Sequence, residues 1–167
     1  MIIRPATPED LDPIVTAFLE CWHHNYQPLF GDRLAQTFDR TSATAQWQEV
    51  LAQNNTWVAD VDELGVIGVS RVVLRGPAAE IGSLYVSPRA QGRGVGKVLL
   101  EVAVDHCEQK GIAHPTLWVF TGNAPTIRFY QRLGWETTGK TRIEAMFEEP
   151  ELEMVWPGAR PFPRPIA

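Results

Sequence analysis

The sequence predicts an α/β fold, a mixed sheet with helices on both faces, and two observations carry that expectation. Strand-like runs dominate first, around residues 2–4, 56–61, 66–74 and 80–86, and the chain then alternates strand, helix, strand, helix, strand. The segment from Leu84 to Leu100 passes from strand through a glycine-rich turn into helix. With 167 residues, 44% of them hydrophobic, the chain suits one compact domain over residues 1–156 followed by a proline-rich tail over 157–167.

Residues 2–4 read as a short first strand, and Thr7, Pro8, Glu9 and Asp10 as a capped helix start with early carboxylates. Leu11, Ile14, Val15, Phe18 and Leu19 give that helix one apolar stripe. Residues 41–53 form a second helical stretch, with Trp47, Val50 and Leu51 at similar spacing. The period then changes to that of strands, and Asp62, Glu63, Leu64 and Gly65 join 56–61 to 66–74 as a hairpin turn. After the strand at 80–86, residues 94–110 read as a helix whose Val95, Val98, Leu99, Val102 and Ala103 face a sheet, ended by Gly111. A strand at 116–120, a helix at 124–133 and strands around 135–146 and 151–156 complete the domain. The tail is too rich in proline for helix or central strand and is expected to be extended and peripheral, with Trp156 and Phe162 docking on apolar surface of the same domain or of a homodimer partner.

Composition narrows the function classes. A net charge of −5 and a pI near 5.4 argue against a nucleic-acid partner and fit a cationic substrate mildly. The N-terminus lacks a signal-peptide pattern, and no segment approaches the roughly 20 apolar residues that span a bilayer, so a soluble cytoplasmic chain without a membrane partner is expected. Cys21 and Cys107 have neither disulfide-framework nor metal spacing and read as buried free thiols. His23 and His24 are adjacent and read as pointing apart, His106 and His114 have no ligand spacing, and no metal is expected.

The turn itself carries the chemistry. Glycines at 92, 94 and 96 let the backbone bring several N–H groups toward one anion at a helix start, so the amides of Gln91, Gly92, Arg93, Gly94, Val95 and Gly96 read as a diphosphate cradle. It is not a P-loop, because Gln91 stands in place of the first glycine and Val98 in place of the magnesium-binding hydroxyl. The order Gly-x-Gly-x-Gly also departs from the dinucleotide fingerprint.

Gln-x-x-Gly-x-Gly behind Val86, Ser87 and Pro88 resembles the acetyl-CoA signature of the GCN5-related N-acetyltransferases. Residues 79–86 resemble that family's central strand, and Asn123 through Phe129, Tyr130, Leu133, Gly134 and Trp135 resemble its second hallmark. The resemblance extends over about residues 2–156 and implies a mixed, mostly antiparallel sheet, with acetyl-CoA as cosubstrate. It implies Arg93 or Lys97 near the phosphates, and Leu84 and Val86 on a bulged strand pairing with the pantetheine arm. It also implies the Leu84 amide as donor to the developing negative charge, Tyr130 as general acid and Asn123 as helix cap and pantetheine partner.

Glu80 shares a strand face with Gly82 and Leu84 by alternation and is the candidate base for an ammonium acceptor; an edge carboxylate is the plainer reading. Tyr130 has the alternative of core packing, and Arg89 and Arg128 read equally as coenzyme contacts or surface charges. Trp22, Tyr26, Phe30 and Phe38 lie where the family places acceptor-site elements, with core packing the default reading and some of them lining the acceptor pocket, and Glu144, Glu148, Glu149, Glu151 and Glu153 read either as attracting a cation or as a solvated hairpin. The function implied is acetyl transfer to a primary amine, a small molecule before a protein lysine or N-terminus, by direct attack in a ternary complex. A coenzyme-binding sensor without turnover is the alternative.

Overall fold

A computed structural model describes residues 1–158, so the tail expectation, apart from Trp156, lies outside the described residues. Seven strands and four helices follow in the order expected: β1 (Ile2–Pro5), α1 (Leu11–Ala35), α2 (Arg40–Leu51), β2 (Thr56–Val61), β3 (Gly65–Arg75), β4 (Ala78–Val86), α3 (Val95–Gln109), β5 (Thr116–Phe120), α4 (Ala124–Arg132), β6 (Glu136–Glu144) and β7 (Glu149–Val155). The strand order is β1-β2-β3-β4-β5-β7-β6. β4 runs parallel to β5, while β1/β2, β2/β3, β5/β7 and β6/β7 are antiparallel, which is the mixed, mostly antiparallel sheet that the family resemblance implies.

The described residues divide into two compact units, Met1–Val72 with Ser83–Ala103, and Val73–Gly82 with residues 104–158. In the first unit Thr7 precedes a 3-10 turn, Pro8–Asp10, that leads into α1, so the expected capped start opens this turn and the α-helix follows from Leu11. The Asp10 carboxylate accepts the Thr7 amide at 2.8 Å and takes two hydrogen bonds from the Arg4 guanidinium at 2.7 and 2.8 Å, while Arg4 also reaches Asp60 on β2. Ile14, Val15 and Phe18 are buried as the stripe predicts, whereas Leu11 and Leu19 at its margins are only half-buried. α1 continues through Pro28 and breaks at Gly31, whose φ of 71° is non-helical. A proline ring removes one donor from the helical ladder, and the glycine follows it as the point of redirection.

Two faces of the end of β4 are covered within this unit. Tyr85 meets Phe18 edge-on at 4.8 Å, in a group of rings with Trp22, Phe38 and Trp47, so this face lies under α1 and α2. Leu84 and Val86 pack instead with Val95 and Leu99 of α3 and with Ala59, Ile67 and Ala90. α3 approaches β3 closely: a Cβ on Gly68 would stand 3.0 Å from Leu99 Cδ1 and 3.1 Å from the Tyr85 carbonyl. The fully buried residues of α3 are Val95, Leu99, Leu100, Ala103, Val104 and Cys107, so the stripe is rotated from the one expected, and Val98 and Val102 are half-buried. The helix is apolar on most of its circumference over this stretch, and the packing chooses the face that periodicity leaves open.

In the second unit α3 ends at Gly111 as expected, with the Ile112 amide donating to Cys107 O at 2.9 Å and the Gly111 amide to Glu108 O at 2.9 Å. The same pair of bonds closes α4, from Trp135 to Tyr130 O at 3.1 Å and from Gly134 to Gln131 O at 3.0 Å. That closure turns Trp135 inward, where it packs with Tyr130 and Trp156. Trp156 is 2% exposed and therefore docks on its own chain.

The Arg4 guanidinium, and secondarily its hydrogen bonds to Thr7, hold the Asp10 carboxyl below the usual carboxylate range against the opposing effect of burial. A depressed folded-state pKa stabilises the fold above the unfolded value near 3.8 and loses that contribution as pH falls through the lower folded value. Asp10→Asn is therefore expected to lower the unfolding free energy by about 2 kcal/mol at pH 7, with the deficit shrinking below about pH 4. Urea unfolding of both proteins at the two pH values checks this.

Candidate active site

The turn after β4 is held from both sides. The Ser87 amide donates to Ile67 O at 2.8 Å, Ala90 donates back to Ser87 O at 2.8 Å, and the buried Ser87 hydroxyl donates to Glu20 Oε2 on α1 at 2.5 Å. Gln91 folds its side chain backward and donates from Nε2 to Val86 O at 3.0 Å. Gly92 and Gly94 then take φ of 75° and 80°, the left-handed region that residues with a Cβ rarely occupy, and the Val98 amide makes the first helical bond to Gly94 O at 3.2 Å. The Gln91 amide, expected in the cradle, donates instead to Pro88 O at 3.3 Å, whereas among the described residues no turn or cap hydrogen bond within 3.5 Å has the amide of Gly92, Arg93, Gly94, Val95 or Gly96 as its donor. A Cβ built on Gly92 or Gly94 would meet nothing within 4 Å. Backbone conformation rather than crowding thus requires glycine here, and the turn offers open donors at the positive end of α3, a donor set suited to a diphosphate.

Because Ser87 N–H points at β3, strand alternation puts the backbone groups of Leu84 and Val86 on the opposite edge of β4. Val86 is already engaged there: its carbonyl accepts from Gln91, and its amide hydrogen-bonds the Cys21 sulfur. Burial pushes the Cys21 thiol up to about 11, against the hydrogen bonds from Val86 and Asn25. The position of this thiol beside the strand edge carries no signal in the sequence.

Of the expected acceptor-region aromatics, Trp22 and Phe38 are buried and Tyr26 and Phe30 half-buried, with Tyr26 edge-on to Trp22 at 4.4 Å. His23 and His24 do not diverge as their adjacency suggests. With Glu20 and Gln27 they line one cleft of about 430 Å³ facing Ser87, Pro88 and Arg89, since neighbouring helix positions are only about 100° apart. Among the described residues no group of three His, Cys, Asp or Glu side chains could hold a metal ion.

In the second unit Asn123 is buried and caps α4, its Oδ1 accepting the Thr126 amide at 3.3 Å. Tyr130 is 7% exposed, its ring 5.3 Å from Phe129 and 6.0 Å from Trp135, so it is packed in the core of this unit. Glu80 is half-buried on β4, in register with Thr116 of β5.

The glutamates of β7 are not simply solvated. Glu151 accepts from Arg142 Nε at 2.7 Å, and Arg142 lies 4.3 Å above the Trp118 ring. Glu153 accepts from Thr138 Oγ1 at 2.8 Å and pairs with Lys140 at 3.2 Å. Burial raises the Glu151 carboxyl, Arg142 lowers it, and the charges of Glu144 and Glu80 raise it further. Sequence pattern alone missed this because charged residues alternating along an apparent edge hairpin resemble any solvent-facing strand.

Residues 12–135 match the acetyltransferase (GNAT) family. A mycothiol acetyltransferase of Nocardioides is 41% identical over 63 residues, covering 36% of this chain and 21% of that protein, and a streptothricin acetyltransferase of Streptomyces lavendulae is 37% identical over 59 residues, covering 35% and 31%. The chain thus spans less than a third of the length of these curated relatives. The PaiA N-acetyltransferase of Thermoplasma acidophilum, solved with coenzyme A, shares the fold with a TM-score of 0.77 at 20% identity, over 91% of this chain and 96% of that one. With the family matched over most of its length and the same fold found in a solved acetyltransferase, the chain belongs to the acetyltransferase (GNAT) family.

Proposed function

We propose that this chain transfers the acetyl group of acetyl-CoA to a primary amine by direct attack, with a small molecule as acceptor. The observation that carries the reading is the run of open amides from Gly92 to Gly96, held at the start of α3 by two left-handed glycines and by the Gln91 side chain. These amides, with Arg93 and Lys97 beside them, would hold the diphosphate, and the bound thioester would supply an activated acetyl group. The Leu84 amide is the proposed donor to the negative charge that develops as the amine adds. Val86 would contribute by exchanging its bond to Gln91 or by using the second lone pair of its carbonyl.

An alkylamine with a pKa near 10.4 is mostly protonated at neutral pH and must lose a proton before it attacks. Glu80 is the proposed base, directly or through water, and the charge around it supports an ammonium acceptor, since Glu80 and Glu144 lie within electrostatic reach of the partly desolvated Glu151. Tyr130 is the proposed acid that protonates the departing thiolate, and Asn123 fixes the start of the helix that presents it. Two relatives are named for mycothiol and streptothricin, which supports small molecules as the acceptor class. Amine-dependent release of free thiol from acetyl-CoA tests the proposal, with polyamines, amino acids, aminoglycosides and lysine peptides as the panel; binding without thiol release from any of them would favour the sensor reading.

Three variants separate the roles. Gly94→Val places a β-branched residue at φ of 80° and is expected to weaken acetyl-CoA at least about tenfold in a chain that still folds, measured by calorimetry. For Tyr130→Phe, kcat should fall on the order of 100-fold with coenzyme affinity nearly unchanged; equal single-turnover rates would make Tyr130 a packing residue. Glu80→Gln leaves only amine that is already neutral in solution to react. The rising limb of its kcat profile from about pH 6 to 10 should therefore move toward the pKa of the amine, and superimposable profiles would remove Glu80 from the mechanism.

A further inference from the structure

Both backbone groups of Val86 at the end of β4 are taken by side chains, and the contacts form a closed circuit. Cys21 Sγ on α1 accepts the Val86 amide. Asn25, one helical turn further along α1, donates from Nδ2 to the same sulfur at 3.1 Å, and its Oδ1 accepts from Gln91 Nε2 at 3.5 Å. Gln91 Nε2 closes the circuit by donating to Val86 O at 3.0 Å. A carboxamide nitrogen carries two protons, so Gln91 directs one to the strand and one to the helix. The Ser87 hydroxyl donates to Glu20, the residue before Cys21, so α1 grips this junction at adjacent points.

Asn25 has no role in the chemistry above. We propose that Asn25 is a positioning residue for the amide turn and acts through Gln91, an inference that rests on the coenzyme role assigned to that turn. Gln91 is exposed, and its long side chain closes the turn just before the left-handed Gly92. One bond to Val86 O leaves such a side chain free to swing into water, and freedom of this kind opposes a single turn geometry. The second acceptor, on Asn25, removes it. α1 is itself fixed on β4 by Phe18 and Trp22, which pack on Tyr85, so Asn25 presents its oxygen from a rigid element. A carboxamide serves here because it donates to the sulfur and accepts from Gln91 at once; an aspartate lacks the donor and a leucine lacks both. Order established in the free protein need not be imposed when the ligand binds, and affinity rises accordingly.

Titration calorimetry of the full chain with coenzyme A, on the wild type, Asn25→Ala, Gln91→Ala and the double variant, tests the assignment, with amide NMR spectra of each free protein recorded alongside. Asn25→Ala is expected to weaken coenzyme A about fivefold, the worth of one hydrogen bond, and to shift the free-protein resonances of Gly92 to Gly96. In the Gln91→Ala background the same change should alter neither, because the side chain through which Asn25 acts is gone. An unaltered affinity in Asn25→Ala, or an equal loss with and without Gln91, would overturn the proposal, the second result assigning Asn25 to the packing of α1. If the wild type does not bind coenzyme A, the coenzyme reading of the turn falls, and the free-protein spectra decide the positioning role. Shifts at Gly92 to Gly96 that vanish without Gln91 uphold that role; shifts that persist without it, or none at all, overturn it.

Discussion

The backbone path from β4 into α3 is the constraint on which the first unit depends. An extended strand must become a helix within a few residues while leaving the first helical amides uncovered, and it does so through left-handed conformations at Gly92 and Gly94. The turn is not left to find this shape unaided. Gln91 closes it against Val86 O, Ser87 ties it to β3 and to Glu20, and Leu84, Val86, Ala90, Val95 and Leu99 join its two ends in one apolar cluster. Such anchoring fixes the open amides before any ligand arrives, so little ordering entropy remains to oppose binding. Gly68 belongs to the same device, because a side chain there would push Leu99 and the start of α3 away from the strand.

The second unit solves a different problem, that of keeping several carboxylates close together inside a fold. Glu151 and Glu153 are buried, and each has a cation within a salt bridge: Arg142, steadied on the Trp118 ring, and Lys140. A buried carboxylate without such a partner would cost several kcal/mol or take up a proton. Glu80, the base proposed above, adds its charge to this field, and among the described residues it forms no ion pair.

Much of the fold was legible because its signals are local. The cap at Thr7, the hairpin turn at 62–65, the termination of α3 at Gly111 and the Asn123 cap of α4 each follow from the chemistry of a few neighbouring residues. The amide turn was legible for the same reason. Features that depend on tertiary partners were not. The buried face of α3 was chosen by its packing partners among several apolar faces, bringing in Leu100, Val104 and Cys107. His23 and His24 were brought to one cleft by the loop opposite them, and Cys21 was brought beside Val86 by the packing of α1 on β4. The pairing of Glu151 with Arg142 depends on the β6/β7 register, which the turn at 145–148 sets and the alternation of charges along the strands does not disclose.

The central claim is that the open amides after β4 receive the diphosphate of the coenzyme. Two-dimensional amide NMR of the nitrogen-labelled chain, titrated with coenzyme A, addresses those amides individually. The account predicts that Gly92, Arg93, Gly94, Val95 and Gly96 show the largest downfield shifts and saturate together, as N–H groups newly bonded to phosphate oxygens should. Saturable binding that leaves these five resonances unmoved would contradict it.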